Sequence, residues 1–400
     1  MAKAHDDVVV TGLGVVAPNG IGVEEFWRNT LAGYVATGPL TRFATKGMQT
    51  TIGGEVRDFD APVYFRNIDP FSLSLSSRFA VAAARLCVED AGAEDAIFGS
   101  RRAGVCFGSV SSSRPDLEEF WPPRSADERA EQGVLSPPCQ LSRSVGQEFR
   151  LSGPNATITT ACAAGNSAIA WAADAIRAGR ADVMIAGGAD QLSYAMLGLF
   201  TQLRALSKDV VRPFDRNRTG LLLAEGAGAL LLESGEHAAR RSARTYCRVT
   251  GYSNCADSYH MTAPDPTGRG AFRSMTAALR MANASPADIG FVSAHGTGTP
   301  SNDVSEARAL NSVFAGFAAP PVSSLKSQIG HAQGAASAIE AVACVMTLAT
   351  DDIHATTNLN ELDPECNINV VTKPQRLHKK TVLNNAFGFG GNIACVVFSA

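Results

Sequence analysis

Residues 159–190 read TTACAAGNSAIAWAADAIRAGRADVMIAGGAD. The polar residues through Thr160 close an extended stretch, and the Ala-rich run Ala163–Ala178, stopped at Gly179, has the composition and length of a helix packed on one broad apolar side. The apolar run Val183–Ala186 then ends in a Gly-rich turn, as a buried strand does. The same alternation recurs along the chain. Strands are expected at Val8–Thr11, Ala103–Phe107, Val183–Ala186, Ala229–Leu232, Phe291–Ser293 and Ala394–Phe398, with helices at Ser76–Ala91, Arg273–Ala282 and Gln333–Ala349. Short buried strands alternating with apolar helices define an α/β layered fold.

The chain has 400 residues, 45% of them hydrophobic and 18% charged, so it can bury a large core and is far from a disordered composition. With 35 Lys+Arg against 38 Asp+Glu, the net charge of −3 gives no general attraction to nucleic acid or to an anionic membrane surface. The 9 cysteines are odd in number, scattered and free of any CxxC pair, which fits reduced thiols in the cytoplasm. Neither a signal peptide nor an uncharged apolar run of membrane-spanning length is seen.

No tandem repeat or low-complexity linker divides the chain. Ser111–Pro138 is rich in Ser, Pro, Glu and Arg and reads as a surface excursion. A weaker break spans Ser253–Gly270, and the division between halves is expected there, at 1–255 and 256–400, within one compact unit.

Cys162 opens the Ala-rich helix, where unpaired N–H groups and the helix dipole favour a thiolate by about 1 kcal/mol. That alone is insufficient, and a cysteine in such a helix is more often a small buried hydrophobe. Candidate partners follow short strands: His295 at the end of Phe291–Ser293, and in PVSSLKSQIGH Lys326 at a strand end, then His331 at a helix start. A histidine at a helix start stays neutral and can donate a hydrogen bond to a developing oxyanion, although a lone histidine there is more often a cap. Asp303 and Glu306 form a D-x-x-E capping box, compatible with a catalytic role for Glu306 as well. NNAFGFGG at 384–391 precedes a strand, so its glycines suit a turn whose N–H groups face a carbonyl and do not suit a phosphate loop. Cys162, His295 and His331 are also chemically able to ligate zinc, but no pair has local metal-ligand spacing.

Taken in order, VVVTGLGVVAPNGIGVEEFW, TACAAG, DVMIAGGAD, RPFDRNRTG, AEGAGALLLE, AHGTGTPSND, SSLKSQIGH and AFGFGG resemble the β-ketoacyl-[acyl-carrier-protein] synthases, in the elongating, decarboxylating type II branch of the thiolase-fold superfamily. The resemblance spans nearly the whole chain. It implies a five-layered fold from a duplicated βαβαβαββ unit, and decarboxylative condensation of an acyl-enzyme with malonyl-carrier protein. By the same resemblance Cys162 is the nucleophile, and its N–H with that of Phe389 forms the oxyanion hole. His295 and His331 bind the malonyl thioester oxygen, Lys326 orients His331 with Glu306 as ion partner, and Thr297 and Thr299 hold the pantetheine arm. Phe389 gates the acyl pocket, and Arg204 and Lys208 contact the acidic carrier protein. No cofactor is implied beyond substrates on the phosphopantetheine arm, and the partner is a second copy or a chain-length-factor-like homologue.

Departures from the family pattern, at Asn392-Ile393 after the Gly turn, Ala163-Ala164, Leu222 and Ser111 at the pocket base, point to a ketosynthase of type II polyketide or specialised fatty acid synthesis. The alternatives are the housekeeping 3-oxoacyl synthase of fatty acid elongation and a non-catalytic chain-length factor.

Overall fold

The computed structural model describes residues 7–112 and 139–400, so most of the expected 111–138 excursion lies outside the described residues. The first half carries strands β1 (Val8–Ala17), β2 (Ala103–Gly108), β3 (Asn155–Ile158), β4 (Val183–Asp190) and β5 (Gly226–Ser234). The second carries β6 (Cys247–Ala256), β7 (Phe291–Ser293), β8 (Val322–Ser323), β9 (Thr381–Gly388) and β10 (Asn392–Ser399). Six helices join them: α1 (Leu75–Asp90), α2 (Gln140–Glu148), α3 (Ala164–Arg177), α4 (Arg269–Met281), α5 (Pro300–Val313) and α6 (Ala336–Thr350). Each half therefore runs βαβαβαββ, the duplicated thiolase-like unit expected from the resemblance.

The strands lie in the order β3-β2-β4-β5-β1-β6-β10-β9-β7-β8. Both halves place their first strand at the centre and their third at the rim. β2, β3 and β4 are parallel, as are β7, β8 and β9, and the last strand of each half is antiparallel to the one before it. The halves join where β1 meets β6, antiparallel, through Val9–Arg248 and Val10–Cys247. The expected division at 255/256 is corrected by this pairing, because it cuts the end of β6; the second repeat begins at Cys247. The composition break after residue 253 marks the loop that follows this strand.

Three apolar clusters separate five layers. One lies between the outer helices α1 and α2 and the first half-sheet, another between α4 and α5 and the second, and the largest surrounds α3 and α6 between the two half-sheets. The two central helices are Ala-rich because two sheets and a partner helix press on them. A Cβ at Gly165 would lie 2.7 Å from the Ala338 nitrogen, so the helices touch backbone to backbone. Gln333–Thr350 has the length and apolarity of a membrane span, yet 83% of it is buried inside the molecule. Both central helices start at the same level, and this sets up the site.

Candidate active site

Cys162 sits in a 3₁₀ turn, Ala161–Ala163, immediately before α3, so the expected helix start is confirmed with one turn of tightening. Ala161 adopts φ 51°, a left-handed conformation that a residue with a Cβ holds only under constraint from its surroundings. That constraint spans both halves. The Asn166 amide N–H donates to Ser337 Oγ at 3.0 Å, Asn166 Nδ2 donates to the Asn384 carbonyl at 3.1 Å, and Asn384 Nδ2 returns to Asn166 Oδ1 at 2.9 Å. The turn ending β9 presses on the same elbow: a Cβ on Gly388 would lie 2.9 Å from the Cys162 nitrogen. This contact packs the Gly388 backbone, next to Phe389, against the Cys162 elbow.

His295 and His331 face each other edge to face, with ring centroids 5.4 Å apart, and both line the cavity with Cys162. Glu306 holds His295 through the backbone, accepting from the amides of His295 at 2.9 Å and Gly296 at 2.8 Å, and Asn385 Nδ2 braces Glu306 at 3.2 Å. The expected Lys326–Glu306 pair is not formed. Lys326 Nζ instead lies 2.5 Å from Glu340 Oε1, with both side chains buried. Glu340 is the single charge in the apolar helix ASAIEAVACVMTLAT, and a buried carboxylate of that kind requires a partner; this was the missed signal. His331 is clamped by backbone, its N–H donating to Leu222 at 2.7 Å and its carbonyl accepting from Ala224 at 2.9 Å. The departure at Leu222 thus contributes main chain to the site.

The protonation pattern follows from these contacts. His331 Nδ1 accepts from the Gln333 amide at 3.2 Å, which leaves the ring proton on Nε2. Burial, and then the Lys326 charge, hold both histidines well below their ordinary value, so both are neutral at pH 7. Burial also pushes the Cys162 thiol up to about 12, opposed by the Lys326 ammonium and reinforced by Asp190. Desolvation thus outweighs the helix-dipole lowering expected from sequence. The resting group is a thiol. Among the described residues, no group of three or more His, Cys, Asp or Glu is arranged to hold a metal ion.

Phe389 stacks on Phe200, with centroids 5.5 Å apart and planes 22° from parallel, over a cavity of about 220 Å³. Leu203, Leu221, Phe387 and Ile393 form apolar wall, and Thr297 and Thr299, their hydroxyls 2.8 Å apart, line its approach. Of the departures, Ile393 lines this cavity, and Asn392 Nδ2 donates to the Phe389 carbonyl at 2.8 Å. Ser111 is corrected: it does not line the cavity, because its amide and hydroxyl bond to Asp190 Oδ1, both at 3.1 Å. Arg204 and Lys208 are exposed beyond the helix Tyr194–Gln202 that carries Phe200.

Comparison with known proteins agrees with this arrangement. Residues 5–238 match the N-terminal domain of the beta-ketoacyl synthases and residues 246–360 the C-terminal domain. The chain is 37% identical to 3-oxoacyl-[acyl-carrier-protein] synthase 2 of Coxiella burnetii, over 98% of each chain. It is 36% identical to a putative polyketide beta-ketoacyl synthase 1 of Streptomyces cyaneus, over 98% of this chain and 97% of that one. Among solved structures it superposes on the ishigamide ketosynthase/chain length factor with a TM-score of 0.93, at 37% identity, over 98% of this chain and 99% of that one. It also matches AntDE:AntF, a type II PKS acyl-carrier protein in complex with its ketosynthase bound to the hexaketide, with a TM-score of 0.88 at 32% identity, over 98% and 99% of the two chains. With Cys162 and two neutral histidines lining one cavity of a duplicated βαβαβαββ fold, and with these matches along its whole length, this chain belongs to the beta-ketoacyl synthase family, acyltransferases that catalyse condensation.

Proposed function

We propose that the enzyme loads an acyl group on Cys162 and condenses it with malonyl-[acyl-carrier protein], giving 3-oxoacyl-[acyl-carrier protein] and carbon dioxide, in a type II polyketide or specialised fatty acid pathway. The observation that carries this reading is the meeting of Cys162, His295 and His331, drawn from both halves, in one cavity. In the first half-reaction the Cys162 sulfur adds to the carrier thioester, the amides of Cys162 and Phe389 stabilise the oxyanion, and the thiol proton ends on the departing pantetheine sulfur. In the second, the C–C bond of malonyl breaks, carbon dioxide leaves, and the enolate oxygen accepts from His331 Nε2–H and from His295. The α-carbon then attacks the acyl-Cys162 carbonyl, and the cysteine sulfur departs as thiolate and takes one proton from solvent to restore the thiol. Neutral imidazoles suit this role, since they donate without adding a charge for substrate to displace. Thr297 and Thr299 would hold the pantetheine arm, and Phe389, released from Phe200, would admit the acyl chain.

The reading needs no resident cofactor, because both acyl groups arrive on pantetheine. Its carrier protein would dock on the exposed face bearing Arg204 and Lys208, and its partner subunit, a second copy or a chain-length-factor-like homologue, would pair along β3. The outer edge of that strand meets no other strand among the described residues. The 9 free cysteines are consistent with the cytoplasm. A housekeeping elongation role is the second reading, favoured by relatives such as the synthase 2 of Coxiella burnetii.

Intact-mass measurement after incubation with acyl-carrier protein tests the assignment: the adduct is expected on the wild type and absent from Cys162→Ala. An adduct that persists in Cys162→Ala overturns it. A panel of saturated and polyunsaturated acyl donors separates the two pathways by chain-length preference.

A further inference from the structure

Asp190, the last residue of β4, is wholly buried and takes no part in the steps above. Its Oδ1 accepts from the Ser109 hydroxyl at 2.6 Å and from the amide and hydroxyl of Ser111, both at 3.1 Å. Its Oδ2 accepts from the amides of Val110 and Gly334, both at 2.8 Å. Among the described residues no Lys or Arg pairs with it, so this carboxylate is held by neutral donors alone. Such a donor set requires acceptors on both oxygens, which an amide side chain does not offer.

Gly334 belongs to the Gln333–Ala335 turn that starts α6. Gln333 holds φ 53°, its side-chain Nε2 donates to the Gln191 carbonyl at 3.1 Å, and its amide is the donor that occupies His331 Nδ1. Residues 190 and 191 therefore grip from two sides the turn whose one free amide fixes the catalytic ring. Lose the grip and a left-handed Gln333 relaxes, taking that amide away from the imidazole. The ring is then free to exchange tautomers, and the Nδ1–H form presents a lone pair to the substrate oxygen where a proton is needed.

We infer that Asp190 is a positioning residue for the decarboxylation half-reaction, holding the 333–335 turn so that the Gln333 amide keeps the His331 proton on Nε2. This rests on the reading that His331 donates to the malonyl thioester oxygen. The loading of Cys162 does not depend on that ring proton, so the two half-reactions separate.

The test uses two variants of the full-length enzyme. Asp190→Asn turns an NH₂ toward the amide donors. Gly334→Ala attacks the same contact from the other side, since its Cβ would lie 2.7 Å from both Asp190 Oδ2 and the Val110 nitrogen that donates to it. Three quantities are measured: carbon dioxide release from a malonyl-pantetheine thioester, the rate of Cys162 acylation by intact mass, and the His331 ring state by NMR of ¹⁵N-histidine-labelled enzyme. Carbon dioxide release is expected to fall about 100-fold, the loss typical of a small misplacement at a site. Acylation does not fall, since losing the Asp190 charge can only ease ionisation of the Cys162 thiol, and the His331 signal leaves the pure Nε2–H pattern. Folded variants with unchanged carbon dioxide release and ring state overturn the inference. So does a parallel loss of both half-reactions, which marks a structural role only. If Asp190→Asn fails to fold, Gly334→Ala decides. In His331→Ala, undiminished decarboxylation overturns the functional reading instead, while the ring state in the Asp190 variant still judges the positioning role.

Discussion

At the scale of single residues, the buried Lys326–Glu340 pair shows how a site fixes a charge that the surrounding core opposes. Two ions taken from water regain that cost only while both are present. Lys326→Ala or Glu340→Ala is therefore expected to lower the unfolding free energy by about 3–5 kcal/mol, read from urea denaturation. The double variant Lys326→Met/Glu340→Leu should return near or above wild-type stability while remaining defective in condensation. A double variant as unstable as either single one would show that the pair is net stabilising. His354 gives a second residue-scale prediction. It is buried beside Trp27 and Phe291, its Nδ1 bonds only to Ser323 Oγ at 3.1 Å and, weakly, the Ala355 carbonyl at 3.4 Å, and burial lowers its value from 6.5 to about 4. The unfolded chain thus binds the proton first. Stability is fully present above pH 6.5 and is lost as pH falls toward 4, by up to about 3 kcal/mol from this one group. His354→Gln should flatten the stability profile across that window, and equal slopes in the two proteins would discard the attribution.

At the scale of elements, strain in the elbow is the feature with the clearest consequence. Ala161 keeps φ 51° because Asn166, Ser337, Asn384 and the Gly388 contact hold α3 where the two halves meet. Glycine adopts that conformation without a Cβ penalty, so Ala161→Gly is expected to stabilise the fold by about 1 kcal/mol in denaturant titration. A freer elbow presents the sulfur less uniformly, and the acylation rate should fall. A variant that loses stability instead would show that the Ala161 side chain contributes packing greater than its strain. The elements themselves were legible because their periodicity is strong: Phe291–Ser293 ends where expected, and the helices shift by a few residues at most. The largest shift is at α4, which starts at Arg269, before the expected Arg273, because Gly268 at φ 70° provides the turn into it.

At the scale of the whole molecule, the sheet has unequal rims. β8 is covered, Val322 donating to the Asn369 carbonyl at 2.8 Å and accepting from the Val371 amide at 2.8 Å. Among the described residues no strand pairs with the outer edge of β3, where Ala156, Thr157 and Ile158 are half-buried and Asn155 exposed. An open edge of this kind is a template for another strand. Thr157→Pro, which removes a donor and fixes φ on that edge, should convert the assembled enzyme to a monomer in light scattering after size exclusion. Retention of the assembled mass would move the interface elsewhere.

Composition and local pattern decided a good deal by themselves: an α/β layered fold, the cysteine at a helix start, one histidine at a strand end and another at a helix start, and the Gly turn at 388–391. Those features are local, set by side-chain period and by the conformations that Gly and Ala permit. The pairing of Lys326 with Glu340 in place of Glu306, the role of Glu306 as a backbone acceptor, the removal of Ser111 from the pocket, and the start of the second half at Cys247 came only from tertiary structure. Each depends on which distant segments become neighbours when two half-sheets close on α3 and α6. So does the thiol itself: a helix start favours the thiolate, but the packing the fold sets around half-buried Cys162 pushes it up to about 12, because desolvation of a charge exceeds what one helix terminus returns.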